Sequence, residues 1–199
     1  MHPFEQLIYD RFAQSIAAWD TERHRDINAI SILCDSTAFG QDAAGEGYIL
    51  QGQVRLSFNT VSYYHTQIEE AESAVEAFWN FAYWPQDTTA AVPRDALIDG
   101  TPPAEELALR NDWCASLDIL PEDEDGSGRA VYDEALLNMA LHSVCQEVAQ
   151  TLHQNGIVVG KLGRSVPILI QDLDGSEGTV AATLAANPPG LSAEIDAMR

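Results

Sequence analysis

Ile27-Asn28-Ala29-Ile30-Ser31-Ile32-Leu33-Cys34-Asp35 is the stretch where the periodicity of this chain changes. Upstream of it, Phe4, Leu7, Ile8, Phe12, Ile16 and Trp19 recur every three or four residues, the stripe of an amphipathic helix over about Pro3 to Arg25, with Pro3 suited to the first turn. From Ile27 onward the apolar residues are β-branched and closely spaced, which predicts a mostly buried strand. Val54, Leu56 and Phe58 then alternate with Arg55, Ser57 and Asn59. That period of two predicts a second strand with one wet face, paired antiparallel with the first across a polar loop at Ser36 to Gly47.

Downstream, helical spacing returns at Thr66 to Trp79, where Ile68, Ala71, Val75, Phe78 and Trp79 share a face and Glu69, Glu70, Glu72 and Glu76 lie away from it. Asp87 to Pro103 reads as a surface connection. A helix after Pro102-Pro103 should carry Leu107, Leu109, Trp113 and Leu117 inward and end near Pro121. Val131 to Asn155 is the clearest helix, stopped by Asn155-Gly156. Ile157 to Val159 and Val166 to Ile170 read as two strands joined by a tight turn at Gly160 to Arg164, the second an edge or a strand start because of Pro167. Short helices are expected at Glu177 to Ala186 and Ser192 to Met198. Helices outnumber strands, so the fold class is α+β: a single domain over residues 1–199, with a small antiparallel or mixed sheet covered by helices.

The 199 residues, 46% hydrophobic, suffice for one core. With 31 Asp and Glu against 10 Lys and Arg the net charge is −21, a surface that repels phosphate and so excludes nucleic acid and anionic lipid as direct partners. The start, Met1 to Asp10, has no signal-peptide pattern and no stretch is apolar enough to span a membrane, which predicts a cytoplasmic protein. Cys34, Cys114 and Cys145 are widely spaced and odd in number, which predicts small core residues and no disulfide framework.

Chemistry-bearing patterns are weak. His142 and Cys145 lie three apart on the long helix, with His153 about three turns beyond His142, but no motif supplies further metal ligands. Gly160 to Ser165 fails the spacing of a phosphate-binding loop. Glu122, Asp123, Glu124 and Asp125 lack the alternation of a calcium loop and read as solvated charge or as a surface for a basic partner. No nucleophile elbow or activated thiol signature is present, so no catalytic residue, metal or cofactor is assigned. A hydrolase would have to use the charged residues at strand ends, Arg164, Asp172 and Asp174.

The most unusual segment is Phe78 to Asp87, F-W-N-F-A-Y-W-P-Q-D, which reads as core aromatics where a helix gives way to a turn, ahead of a ligand platform. This segment resembles the tryptophan-containing signature of the bacterial domain of unknown function 4303 family. Ile30 to Asp35, Leu56 to Thr60, the helix ending in Asn155-Gly156, Ile168 to Asp174 and Ala186 to Pro189 follow that family's order over nearly the whole chain. The resemblance implies a compact α+β bacterial domain, some of whose relatives act as immunity proteins beside secreted toxins, with no catalytic residues to carry over.

The expectation that follows is a non-enzymatic acidic binding protein, an immunity protein that neutralises a basic toxin encoded by an adjacent gene by occluding it. Its partner-binding residues are expected to be Glu69, Glu70 and Glu72 with Glu122, Asp123, Glu124 and Asp125. The alternatives are a housekeeping interaction domain whose acidity serves solubility, and a small hydrolase.

Overall fold

The computed structural model describes residues 1–20, 25–36, 39–41, 47–49, 51–85, 87–94, 104–121, 132–173 and 177–197. Helix α1 spans Pro3–Ala18 and is started by a capping box: the Phe4 N–H donates to His2 Nδ1, and the His2 N–H donates to the Glu5 carboxylate at 2.6 Å. Phe4, Ile8, Phe12 and Ile16 are fully buried, as their spacing predicts. The helix ends well before Arg25, and Trp19 turns inward at its cap to meet Phe58 edge-on, with ring centroids 5.1 Å apart.

Strands β1 (Ile27–Asp35) and β4 (Gln53–Thr60) pair antiparallel, with Ile32 opposite Leu56. The loop between them carries a small ribbon of its own, β2 (Phe39–Gln41) against β3 (Gly47–Ile49), whose three-residue strands are too short for periodicity to reveal. The connection after Asp87 also contributes a strand, β5 (Ala90–Val92), antiparallel to β4. On the other side β6 (Ile168–Asp172) runs parallel to β1, giving a mixed sheet in the order β5-β4-β1-β6.

Pro167 precedes β6 at the edge of the sheet, where its missing N–H costs nothing and its carbonyl accepts from the Ile30 N–H at 2.9 Å. The outward backbone groups of β6 are satisfied by helix α7, Glu177–Ala186, and the residue after it. The Ile170 N–H donates to Thr183 Oγ1 and the Ile168 N–H to Asn187 Oδ1, both at 2.8 Å, while Asn187 Nδ2 donates back to the Ile168 carbonyl at 2.7 Å. Two polar side chains thus close an edge that would otherwise invite another strand.

Four further helices complete the main layer: α4 (Ala104–Ser116), α5 (Glu134–Gln154), α6 (Ile157–Leu162) and α8 (Pro189–Asp196). Ile157–Leu162 is therefore helical, not a strand, and Gly160 to Arg164 is not a hairpin turn. Gly156 at φ +69° and Gly163 at φ +70° bracket this one-and-a-half-turn helix, and Val158 is buried in the main core, so packing overrides the β-branched composition. In α4 the buried face carries Glu106, Arg110, Trp113 and Cys114, while Leu117 is 48% exposed. The expected leucine face gives way because Glu106 is held by Arg11 at 2.6 Å and by Arg94 at 3.0 Å, which lets a carboxylate turn inward.

The sheet is covered on both faces. Ile30, Ile32, Val54, Leu56, Ile168 and Ile170 pack on the apolar stripes of α1 and α5. The opposite face carries Ala29, Ser31, Ser57, Asn59, Leu169 and Gln171, and it is not wet: Phe78 and Trp84 cluster with Ala29 and Leu169 upon it, and Ser57 and Asn59 are buried. The alternation in β4 correctly separates the two faces but does not reveal that both are covered.

Candidate functional site

The helix expected over Thr66 to Trp79 is two helices, α2 (Val61–Ile68) and α3 (Ala74–Trp79). Glu69, Glu70 and Glu72 follow the end of α2, where carboxylates oppose the helix dipole. Ser73 then opens α3: its side chain accepts from the Glu76 N–H at 3.0 Å, and the Glu76 carboxylate reaches back to the Glu72 N–H at 2.8 Å. Glu69, Glu70 and Glu72 are exposed on this turn. The Tyr83 phenol is held above its ordinary value, first by desolvation, then by the charge and hydrogen bond of Glu76 and the charges of Glu72 and Glu70. Glu76 is thus bonded to the Tyr83 phenol, which also feels the charges of Glu72 and Glu70.

Beside this acidic turn lies an open groove of about 610 Å3. Its near wall is Val75, Glu76, Trp79 and Phe81; its far wall is Leu173, after β6, with Thr179 and Val180 of α7. The aromatic run is divided by function. Trp84 is fully buried and donates from Nε1 to the Phe78 carbonyl at 3.0 Å, which fixes the turn at Phe81–Tyr83 under the sheet. Trp79, expected to be largely buried, packs against the Phe78–Trp84 cluster while also lining the groove with Phe81, both of them half-buried. Gln171 pins the wall from within the sheet, donating from Nε2 to the Trp79 carbonyl at 2.9 Å.

The groove shares Asp172 and Leu173 with a small cleft of about 130 Å3 at the carboxyl ends of the parallel strands β1 and β6. Two buried carboxylates flank it: Asp35, paired with Arg55 at 2.7 Å, and Asp172, 3.3 Å from His142 Nε2. Such a strand end is a common ligand position in parallel sheets. Cys34 also lines this cleft, 3.5 Å from the Cys145 sulfur. Burial, the Cys145 hydrogen bond and the Cys145, Asp172 and Asp35 charges together push the Cys34 thiol well above its ordinary value. It is held as a thiol, so this cleft supplies no thiolate for nucleophilic chemistry.

The residues named for a hydrolase are not brought together. Arg164 donates to the Ile27 carbonyl at the beginning of β1, whereas Asp172 pairs in register with Cys34 near its end; Asp174 lies outside the described residues. His142 faces Asp172, Cys145 faces Cys34, and His153 bonds to Asn187 Oδ1 at 3.1 Å, so the three helical candidates point to different partners. Among the described residues no group of three or more His, Cys, Asp or Glu is placed to hold a metal ion, and no helix is long and apolar enough to cross a membrane.

Of the expected partner-binding residues, Glu69, Glu70 and Glu72 share one exposed turn, while Glu122, Asp123, Glu124 and Asp125 lie outside the described residues. Sequence reasoning grouped Glu76 with the other glutamates but left it out of the partner-binding residues, and it missed Tyr83 beside them and Leu173, Thr179 and Val180 as the far wall. Ser73-Ala74-Val75-Glu76, with the S-x-x-E spacing of a capping box, is the signal that marks the helix break. A second groove of about 460 Å3, with Leu117, Leu136 and Met139 exposed, lies between the end of α4 and α5. No family model matches the chain, and neither a curated protein nor a solved structure does.

Proposed function

We propose that this chain is a non-enzymatic, cytoplasmic binding protein that docks a basic protein partner on the acidic turn Glu69 to Glu76 and the adjoining groove. The observation that carries the reading is the contiguity of an acidic cluster with half-buried aromatic side chains. Rim charges accelerate encounter but give little affinity alone, about 0 to 1 kcal/mol for an exposed pair, so a docking surface also needs a partly desolvated anchor.

The charge balance of the described residues supports it. Arg11, Arg55 and Arg94 are committed to internal ion pairs, and Arg110, Lys161 and Arg164 donate to backbone carbonyls. Six of the seven described Lys and Arg side chains thereby have partners within the chain, the seventh being Arg25. The carboxylates of the α2–α3 turn consequently face solvent with little internal cation to balance them, and a cationic surface relieves their mutual repulsion. An immunity protein of the domain of unknown function 4303 family, covering the basic active surface of a toxin, has this requirement.

The test is co-expression with the product of the adjacent gene, followed by size-exclusion chromatography and calorimetry. A stable complex is expected, weakened about tenfold or more when Glu69→Gln, Glu70→Gln and Glu72→Gln are combined. No complex, or one indifferent to all three substitutions, contradicts the reading.

A further inference from the structure

Resting on that reading, we infer that the groove beside the acidic turn is an arginine receptor: it takes the side chain of one arginine presented by the basic partner. At about 610 Å3 it lies within the size range of pockets that take small ligands. Its walls offer the two things a guanidinium group requires together. Trp79 and Phe81 supply aromatic rings, on which a planar cation is attracted by the ring quadrupole. Glu76 supplies a carboxylate on the same wall, tied to the acidic turn by the Glu72 N–H at 2.8 Å. Val75 and Leu173, 41% and 59% exposed, give apolar surface on either side along which the three methylenes of an arginine stem can lie.

The electrostatics select the ligand's sign and the walls select its shape. Glu76 on one side and Asp172 at the shared inner end exclude an anion. A neutral apolar side chain would bury those walls but bring no positive charge to Glu76. Lysine carries the charge on a compact, strongly hydrated ammonium with no flat face to stack, whereas arginine is planar, weakly hydrated and matched to a carboxylate. A guanidinium therefore satisfies aromatic, acidic and apolar walls at once.

The experiment uses the full chain, 15N-labelled, and follows the indole N–H signal of Trp79 during titration with acetyl-Gly-Arg-Gly-amide, its citrulline counterpart and its lysine counterpart. The arginine peptide is expected to shift the Trp79 signal with saturation, the lysine peptide to bind about threefold or more weakly, and the uncharged citrulline peptide to leave it unmoved. Glu76→Gln, which keeps an acceptor for the Glu72 N–H, is expected to weaken the arginine peptide about three- to tenfold without unfolding the protein, and Met139→Ser in the other groove to change nothing. Equal shifts with citrulline, or no saturable shift with arginine, overturn the receptor. If the peptides fail while the adjacent gene product still binds and still depends on Glu69, Glu70 and Glu72, only the arginine receptor falls; if both fail, so does the docking reading.

Discussion

Trp79 and Trp84 sit five residues apart and separate two roles that composition alone cannot. Trp84 is fully buried on the second face of the sheet with its indole nitrogen bonded to the Phe78 carbonyl, so Trp84→Ala is expected to cost about 3 to 5 kcal/mol in urea unfolding. Trp79→Ala is expected to cost less, about 1 to 2 kcal/mol, because part of the ring already faces the groove; equal losses would contradict this division. Glu106 gives a pH signature. Burial works to raise its pKa, but the Arg11 hydrogen bond, the Arg94 N–H and the charges of both arginines outweigh it, so the folded value lies below the ordinary 4.5. Its contribution is fully present above about 4.5 and is lost as pH falls through the lower folded value. In urea midpoints taken from about pH 6 to about pH 3, Glu106→Gln is expected to start about 2 to 3 kcal/mol less stable and to lose less on acidification than the wild type. Parallel losses would show that this carboxylate does not set the acid limb.

At the scale of elements, the parts legible in the sequence are those whose pattern is local. The stripe of α1, the period-two alternation of β4 and the long run of α5 each declare themselves within one segment. The segment Ile157–Leu162 does not, since Ile157, Val158 and Val159 have strand composition and become helical only because Gly156 turns the chain back onto α1 and α5. Half of the candidate site was legible in the same sense: the acidic residues and the aromatic run are adjacent in sequence. Its far wall, Leu173, Thr179 and Val180, is brought there by the parallel pairing of β6 with β1, which no local pattern encodes. The break between α2 and α3 rests on the Ser73 cap, and Ser73→Ala is expected to destabilise the protein by about 1 kcal/mol in urea unfolding. An unchanged midpoint would mean that the two helices are separated by something other than this cap.

Across the whole molecule the net charge is −21, and among the described residues Arg11, Arg55 and Arg94 are held in ion pairs with buried carboxylates. The buried Glu106 and Asp35 are held by arginine, and the buried Asp172 lies beside His142. The exposed remainder generates a field that is attractive to a basic surface and weakens within about 8 to 10 Å at ordinary ionic strength. That field is expected to appear in the rate of encounter more than in the lifetime of the complex. The most direct test is the association rate with the adjacent gene product, measured by stopped flow at low and high salt for the wild type and for the combined Glu69→Gln, Glu70→Gln and Glu72→Gln variant. The wild-type rate is expected to fall about tenfold or more as salt rises, and the variant to start lower and respond less. A rate that is independent of salt and identical in the two proteins would contradict docking through the acidic turn.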